Sequence, residues 1–135
     1  MTFGDSNLRG NAFTARHLQL GKIGEDLAAT WMMEHGFRLL HRNWKLKGGV
    51  ELDIVAFKDN LLHVVEVKTR SSDMYVDPMA AIDRQKLMRL YRGTFIYKKY
   101  YGMRFESVLD AIRIVYRNEH DFDLKFIPNI HQHFS

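Results

Sequence analysis

The stretch Val50–Arg70, VELDIVAFKDNLLHVVEVKTR, decides how this chain folds. It divides at Asp59-Asn60, a pair with turn chemistry. On either side, Val50–Lys58 and Leu61–Thr69 are rich in the branched and aromatic residues that strands favour. Both place apolar side chains at successive positions, such as Leu52, Ile54 and Val55, as central strands covered on two faces do. A two-residue turn also sets the register. Asp53 then falls opposite Glu66 and Glu51 opposite Lys68, with all four side chains on one face of the sheet.

Outward from this hairpin, Phe37–Arg42 reads as a preceding strand, joined to it by a loop through Gly48-Gly49. Before it, a helical pattern runs from a Thr14 N-cap to His35 and stops at Gly36, with an apolar stripe of Leu20, Ile23, Leu27 and Trp31. Gly21 and Gly24 inside this helix imply either close packing or a later start. After the hairpin, 71–77 is a loop. Asp77-Pro78 then predicts an N-cap and first turn for a helix reaching about Tyr100, interrupted at Gly93. Ser107–Arg117 and Asp123–Pro128 are the last strands, separated by a turn at Asn118–His120. The expected fold is α/β, with a mixed central sheet flanked by helices on both faces and the order α-β-β-β-α-β-β. Residues 1–13 are expected to be a flexible N-terminal arm, and 14–135 a single domain.

With 135 residues, of which 46% are hydrophobic, the chain has the size and composition of one globular domain. Zero cysteine excludes disulfides, thiolate zinc sites and cysteine nucleophiles. No apolar run approaches the ~18 residues of a membrane span, and the N-terminus has no secretory block, so a cytoplasmic, non-membrane protein is expected. There is no glycine-rich dinucleotide fingerprint, Walker loop or G-x-S-x-G elbow, and so no organic cofactor is expected. The formal net charge of +4 suits an anionic partner.

Two carboxylates opposed on a largely buried sheet need compensation, because like charges there repel and desolvated charge is costly. One carboxyl is protonated, or both lean on Lys68 and other cations, or both ligate a divalent metal. The third alternative also gives the neighbouring lysine a task, stabilising charge as water attacks phosphorus. The arrangement is then a hydrolytic phosphodiesterase site.

Gly21-x-x-Gly24-Glu25, Arg42-Asn43, Glu51-Leu52-Asp53, Val65-Glu66-Val67-Lys68-Thr69-Arg70, Lys86 and Asp110 resemble, in order, the pattern of the YraN-like uncharacterised bacterial proteins. These are grouped with the PD-(D/E)XK nucleases and are similar to archaeal Holliday-junction resolvases. The resemblance covers roughly residues 18–130 and implies a restriction-endonuclease-like domain. It also implies that Asp53 and Glu66 ligate Mg2+ or Mn2+, that Lys68 is the catalytic lysine, and that Glu25 completes the acidic cluster. The activity it implies is a metal-dependent DNA endonuclease hydrolysing phosphodiester bonds, with branched DNA as substrate and a homodimer as the working form. The alternative is a non-catalytic nucleic-acid-binding protein that keeps the nuclease fold.

Around this centre, Arg70, Lys86, Arg89 and Arg42 are the expected contacts to nucleic acid. Arg70 leaves the strand beside the acidic pair, while Lys86 and Arg89 belong to a basic helix face with Arg84 and Arg92. Arg42, Lys45 and Lys47 surround Trp44 in a loop, which reads as a basic-aromatic contact or, more simply, as core filler. Glu51 reads as a cross-strand partner that aims Lys68. Tyr97, Tyr100 and Tyr101 read as packing at a helix end or dimer interface. Glu25, lying off its helix's apolar stripe, would by pattern alone be a solvated surface residue.

Overall fold

The computed structural model describes residues 2–72 and 83–134. The decisive hairpin forms as expected, from β2 (Val50–Lys58) and β3 (Leu61–Ser71) paired antiparallel from Lys58–Leu61 to Ile54–Val65. Asp59 and Asn60 have φ of 54° and 64°, the left-handed pair that a tight hairpin with the right twist requires. β1 (Arg38–Leu46) lies against the other edge of β2, so Trp44 belongs to a strand and not to the loop expected there. β3 then pairs in parallel with β4 (Ser107–Asn118), and β5 (Asp121–Ile127) closes the far edge antiparallel. The result is a five-stranded mixed sheet in the order β1-β2-β3-β4-β5.

Helices cover both faces. α1 (Thr2–Glu34) starts ahead of the Thr14 N-cap, and its helical backbone includes residues 2–13, the stretch expected to be an arm. It ends at Gly36, whose φ of 85° is the left-handed conformation of a helix stop, and Lys58 Nζ donates to the His35 carbonyl at 2.7 Å. Ala28, Ala29 and Met32 of α1 pack on Ile54, Ala56, Val65, Ile112 and Ile114 to make one core. α2 (Arg84–Tyr101) covers the opposite face, where Leu87, Leu90 and Tyr97 meet Trp44, Leu52, Val55, Leu62 and Val64.

The cap of α2 corrects the expected boundary. Asp83, not Asp77, is the N-cap, and its side chain accepts the Lys86 backbone N–H at 2.8 Å. Asp77-Pro78 and most of the preceding loop lie outside the described residues. Gly93 does not interrupt α2. A Cβ there would stand 2.9 Å from Leu52 Cδ2, so the missing side chain lets the helix settle on β2. No described helix is long and apolar enough to cross a membrane.

Candidate functional site

The hairpin does not stay zipped. Its register would put Asp53 opposite Glu66, yet the ladder ends one row earlier, at Ile54–Val65. Beyond that row β2 and β3 part, and the Asp53 Oδ2 accepts the Val67 N–H at 2.9 Å, occupying a backbone donor that a longer ladder would have used. Two carboxylates held directly across a ladder, ~4.5–5.5 Å apart at Cβ, would repel each other. The fork relieves that constraint and opens the edge of β3.

The same row breaks the alternation of side chains along β2. Val50 and Leu52 pack in the α2-side core with Val55, whereas Ile54 packs in the α1-side core, although Leu52 and Ile54 are two residues apart. β1 turns over at the matching position: Arg42 reaches Asp26 of α1, while Trp44 enters the α2-side core. Between them Asn43 adopts φ 52°, a left-handed conformation that asparagine tolerates better than most residues. Glu51, Asp53, Glu66 and Lys68, the four residues expected on one face, do line one cavity together, and Asp53 also reaches round to the side of α1. This carboxylate borders two cavities, one of about 250 Å³ on the side of α2 and one of about 1040 Å³ on the side of α1.

On the α2 side Glu66 is only 3% exposed. Its Oε1 lies 3.3 Å from Lys86 Nζ, and its Oε2 is buried without a hydrogen-bond partner among the described residues. Arg113 of β4 lies beside it, with Nη1 donating to the Glu66 carbonyl at 3.4 Å. Burial pushes the Glu66 carboxyl up from its ordinary value of 4.5; Lys86 and Arg113 pull against that, and Asp53 adds to it. Burial likewise raises Asp53 above 3.8, opposed by the Val67 N–H, Lys86 and Lys68 and reinforced by Glu51.

On the α1 side the decisive contact is Gly24 against Thr69. A Cβ at Gly24 would stand 1.6 Å from Thr69 Oγ1 and 2.7 Å from its Cβ, so only glycine lets α1 lie this close to β3. Gly21 meets nothing within 4 Å, which leaves Gly24 as the close-packing glycine of the pair. The approach brings the next residue, Glu25, to the fork half-buried, with Oε1 lacking a hydrogen-bond partner among the described residues. Burial raises its carboxyl above 4.5; a hydrogen bond from Asn43 and the charge of Arg42 oppose this, and Asp53 and Asp26 add to it. Among the described residues no three His, Asp or Glu side chains form a group close enough to hold a metal ion. Asp53 therefore stands between two other carboxylates without the three forming one cage.

The remaining residues divide. Lys68 and Asp53 line both cavities, and the Lys68 charge acts on Asp53. Glu51 pairs with Lys45 of β1 at 3.7 Å, on the surface, and not with Lys68 as its register implied. Lys86 turns inward to Glu66, while Arg89 is exposed on α2 and Arg70 half-buried at the end of β3. Arg42 is held by Asp26 at 2.5 Å, and Asp110 lies outside the fork, bonded to His63 Nδ1 at 2.6 Å and to the Asn129 N–H. Trp44 is core filler, with its Nε1 donating to the Tyr101 hydroxyl at 3.0 Å.

A family model, described as Uncharacterised protein family UPF0102, matches residues 24–114. The chain belongs to the UPF0102 family, the YraN-like group. It is 42% identical over 104 residues to a UPF0102 protein of Bacteroides thetaiotaomicron, covering 77% of this chain and 85% of that one. A UPF0102 protein of Flavobacterium johnsoniae is 36% identical over 123 residues, covering 89% and 99%. One from Leifsonia xyli is 42% identical over 117 residues, covering 86% and 98%. The UPF0102 match begins at Gly24 and ends at Ile114, and so spans every side chain of the fork.

One residue of this UPF0102 site, and the role of another, are missing from the expectations drawn from the sequence. The residue is Arg113; a cation inside the apolar run Ala-Ile-Arg-Ile-Val is the signal that marks it. Asn43 is part of the family resemblance, but its hydrogen bond to Glu25 and its left-handed backbone are legible only in the fold.

Proposed function

We propose that this protein is a Mg2+- or Mn2+-dependent endonuclease that hydrolyses phosphodiester bonds in DNA at the β2–β3 fork. The observation that carries the reading is Glu66, a nearly inaccessible carboxylate with one oxygen on Lys86 and the other without a partner among the described residues, beside a second, half-buried carboxylate, Asp53. Burying such a pair without full compensation destabilises a fold, so a task other than folding accounts for it. The donor set suits a hard cation that keeps several waters and takes one or two carboxylates, as Mg2+ does.

Asp53 and Glu66 would hold the ion, with Glu25 assisting through water from across the fork. A bound divalent cation would supply Lewis acidity and charge neutralisation at the scissile phosphate. Lys68, exposed at the mouth, orients the attacking water and stabilises charge developing on phosphorus. Lys86, 3.3 Å from Glu66 and in the same cavity as Lys68, would add positive charge at the substrate phosphate. Asp53 is held in place by the Val67 N–H, and Arg113 balances charge from beneath. Arg89, Arg70 and Arg42 hold the strand by its phosphates. Branched DNA as substrate and a homodimer as the working form, both drawn from the family resemblance, and a cytoplasmic location, drawn from composition, complete the proposal.

The test is cleavage of branched, duplex and single-stranded DNA with and without Mn2+, beside a Glu66→Gln variant. Wild type cuts only with the ion, and the variant is slower by at least ~100-fold. Equal behaviour of the two on every substrate sinks the catalytic reading. DNA binding without cutting by wild type would establish instead the non-catalytic binder that keeps this fold.

A further inference from the structure

We infer that the outward side of α2 is a track for single-stranded DNA leading away from the fork. The inference rests on the reading of the fork as a site acting on DNA, and it names the form of DNA that the neighbouring surface accepts. Every charged residue of α2 is a cation: Arg84, Lys86, Arg89, Arg92, Lys98 and Lys99. One helix thus carries more positive charge than the net +4 of the whole chain.

The order of these residues matters as much as their sign. Lys86, Arg89, Arg92 and Phe95 follow one another at intervals of three, and such neighbours lie ~5–6 Å apart at Cβ in a row that winds slowly round the helix. The row starts at Lys86, 3.3 Å from Glu66, and ends on the face opposite the sheet. There it meets an apolar stripe that stays exposed among the described residues: Met88 is 62% exposed, Phe95 66% and Tyr91, which touches His131, 38%. Lys99 sits over the Phe95 ring, 5.9 Å from its centroid. Among the described residues neither Arg89 nor Arg92 has an acidic partner.

Cations in a row suit phosphates; exposed rings beside them suit bases that are not already stacked in a duplex. The same charge disfavours a second copy of this helix as occupant, since two such faces would repel. A duplex presents phosphates but no base faces, so the rings discriminate in favour of an unpaired strand.

The experiment uses the full chain in EDTA, so that cutting does not intervene, with fluorescence anisotropy of labelled oligothymidylate and of a duplex of equal length. Wild type binds the single strand more tightly. Phe95→Ala weakens it roughly tenfold and leaves duplex binding nearly unchanged, while Phe95→Trp retains single-strand binding. Arg92→Gln weakens both and lowers the salt slope by about one. Because Phe95 points outward, its loss does not disturb folding, which circular dichroism verifies. Single-strand binding unchanged in Phe95→Ala overturns the inference. So does a Phe95→Ala effect confined to self-association in sedimentation, or to binding of anionic phosphatidylserine vesicles. If wild type binds oligothymidylate through Phe95 yet cuts nothing with Mn2+, the track stands and the nuclease reading fails.

Discussion

The two edges of β3 are built from the same residues and behave differently. Toward β4 the ladder runs from Leu62–Ser107 to Ser71–Tyr116 without a break; toward β2 it stops at Ile54–Val65. Along the sealed edge β4 presents buried Leu109, Ala111, Ile112 and Ile114, together with buried Asp110, bonded to His63 and the Asn129 N–H, and Arg113, which donates to the Glu66 carbonyl. Along the open edge β2 presents Glu51 and Asp53, against Glu66 and Lys68 of β3. Hydrogen bonding is equally available to both edges. What differs is the row itself, since the open edge would bring Asp53 and Glu66, two half-buried or buried carboxylates, directly opposite each other. At that row the strands part and the Val67 N–H turns to the Asp53 carboxylate.

That contrast can be broken first at the last closed row of the β2–β3 ladder. Ile54 is fully buried in the last paired row. Ile54→Ala is expected to cost ~2–5 kcal/mol in urea unfolding, the cost of a cavity with no water to fill it. A loss below ~1 kcal/mol would mean that the closed end is not where the fold is anchored.

Gly24→Ala tests what holds α1 over the open side. The added Cβ cannot fit beside Thr69, so stability should fall by ~1–3 kcal/mol, with part of the loss recovered in the double variant Gly24→Ala/Thr69→Ala. Additive effects would deny the contact. Any cutting activity should fall too, because Glu25 follows Gly24 on the same helical turn.

One residue from Ile54, Asp53 should respond with the opposite sign. Its folded carboxyl is raised above 3.8, mainly by burial, so the folded chain retains a proton that the unfolded chain has already released. Stability from this group is therefore greatest below that value and is lost as pH rises through the folded pKa. Asp53→Asn should leave the melting temperature in EDTA unchanged at about pH 3 and raise it at about pH 7. A variant less stable than wild type at neutral pH would show that the carboxylate supports the fork by more than the Val67 contact.

The smallest effect belongs to the Glu51–Lys45 pair, which is exposed on both sides. Lys45→Met should change stability by less than ~0.5 kcal/mol, with the remainder screened by salt. A larger effect would move Glu51 from the surface into the electrostatics of the fork.

Much of this molecule was written in local pattern. Asp59-Asn60 dictates its turn because few residue pairs accept two left-handed conformations in succession, and the hairpin register follows from that turn. Runs apolar on both faces announced central strands, and both faces proved covered. The acidic residues and lysine of the site were legible because charge stands out in strands that ought to be apolar. By resemblance the sequence also placed Glu25 with them.

Tertiary structure decided the rest, since each remaining feature depends on which elements meet. Nothing in the helix distinguishes Gly24 from Gly21 until Thr69 comes to lie beneath one of them. Lys86 reads as one cation of a basic face, and only the packing of α2 on the sheet turns it inward to Glu66. The fork itself is a long-range decision. The register pointed Asp53 at Glu66, but repulsion between them, a left-handed Asn43 on the neighbouring strand and a backbone N–H at Val67 together determine that the strands separate there.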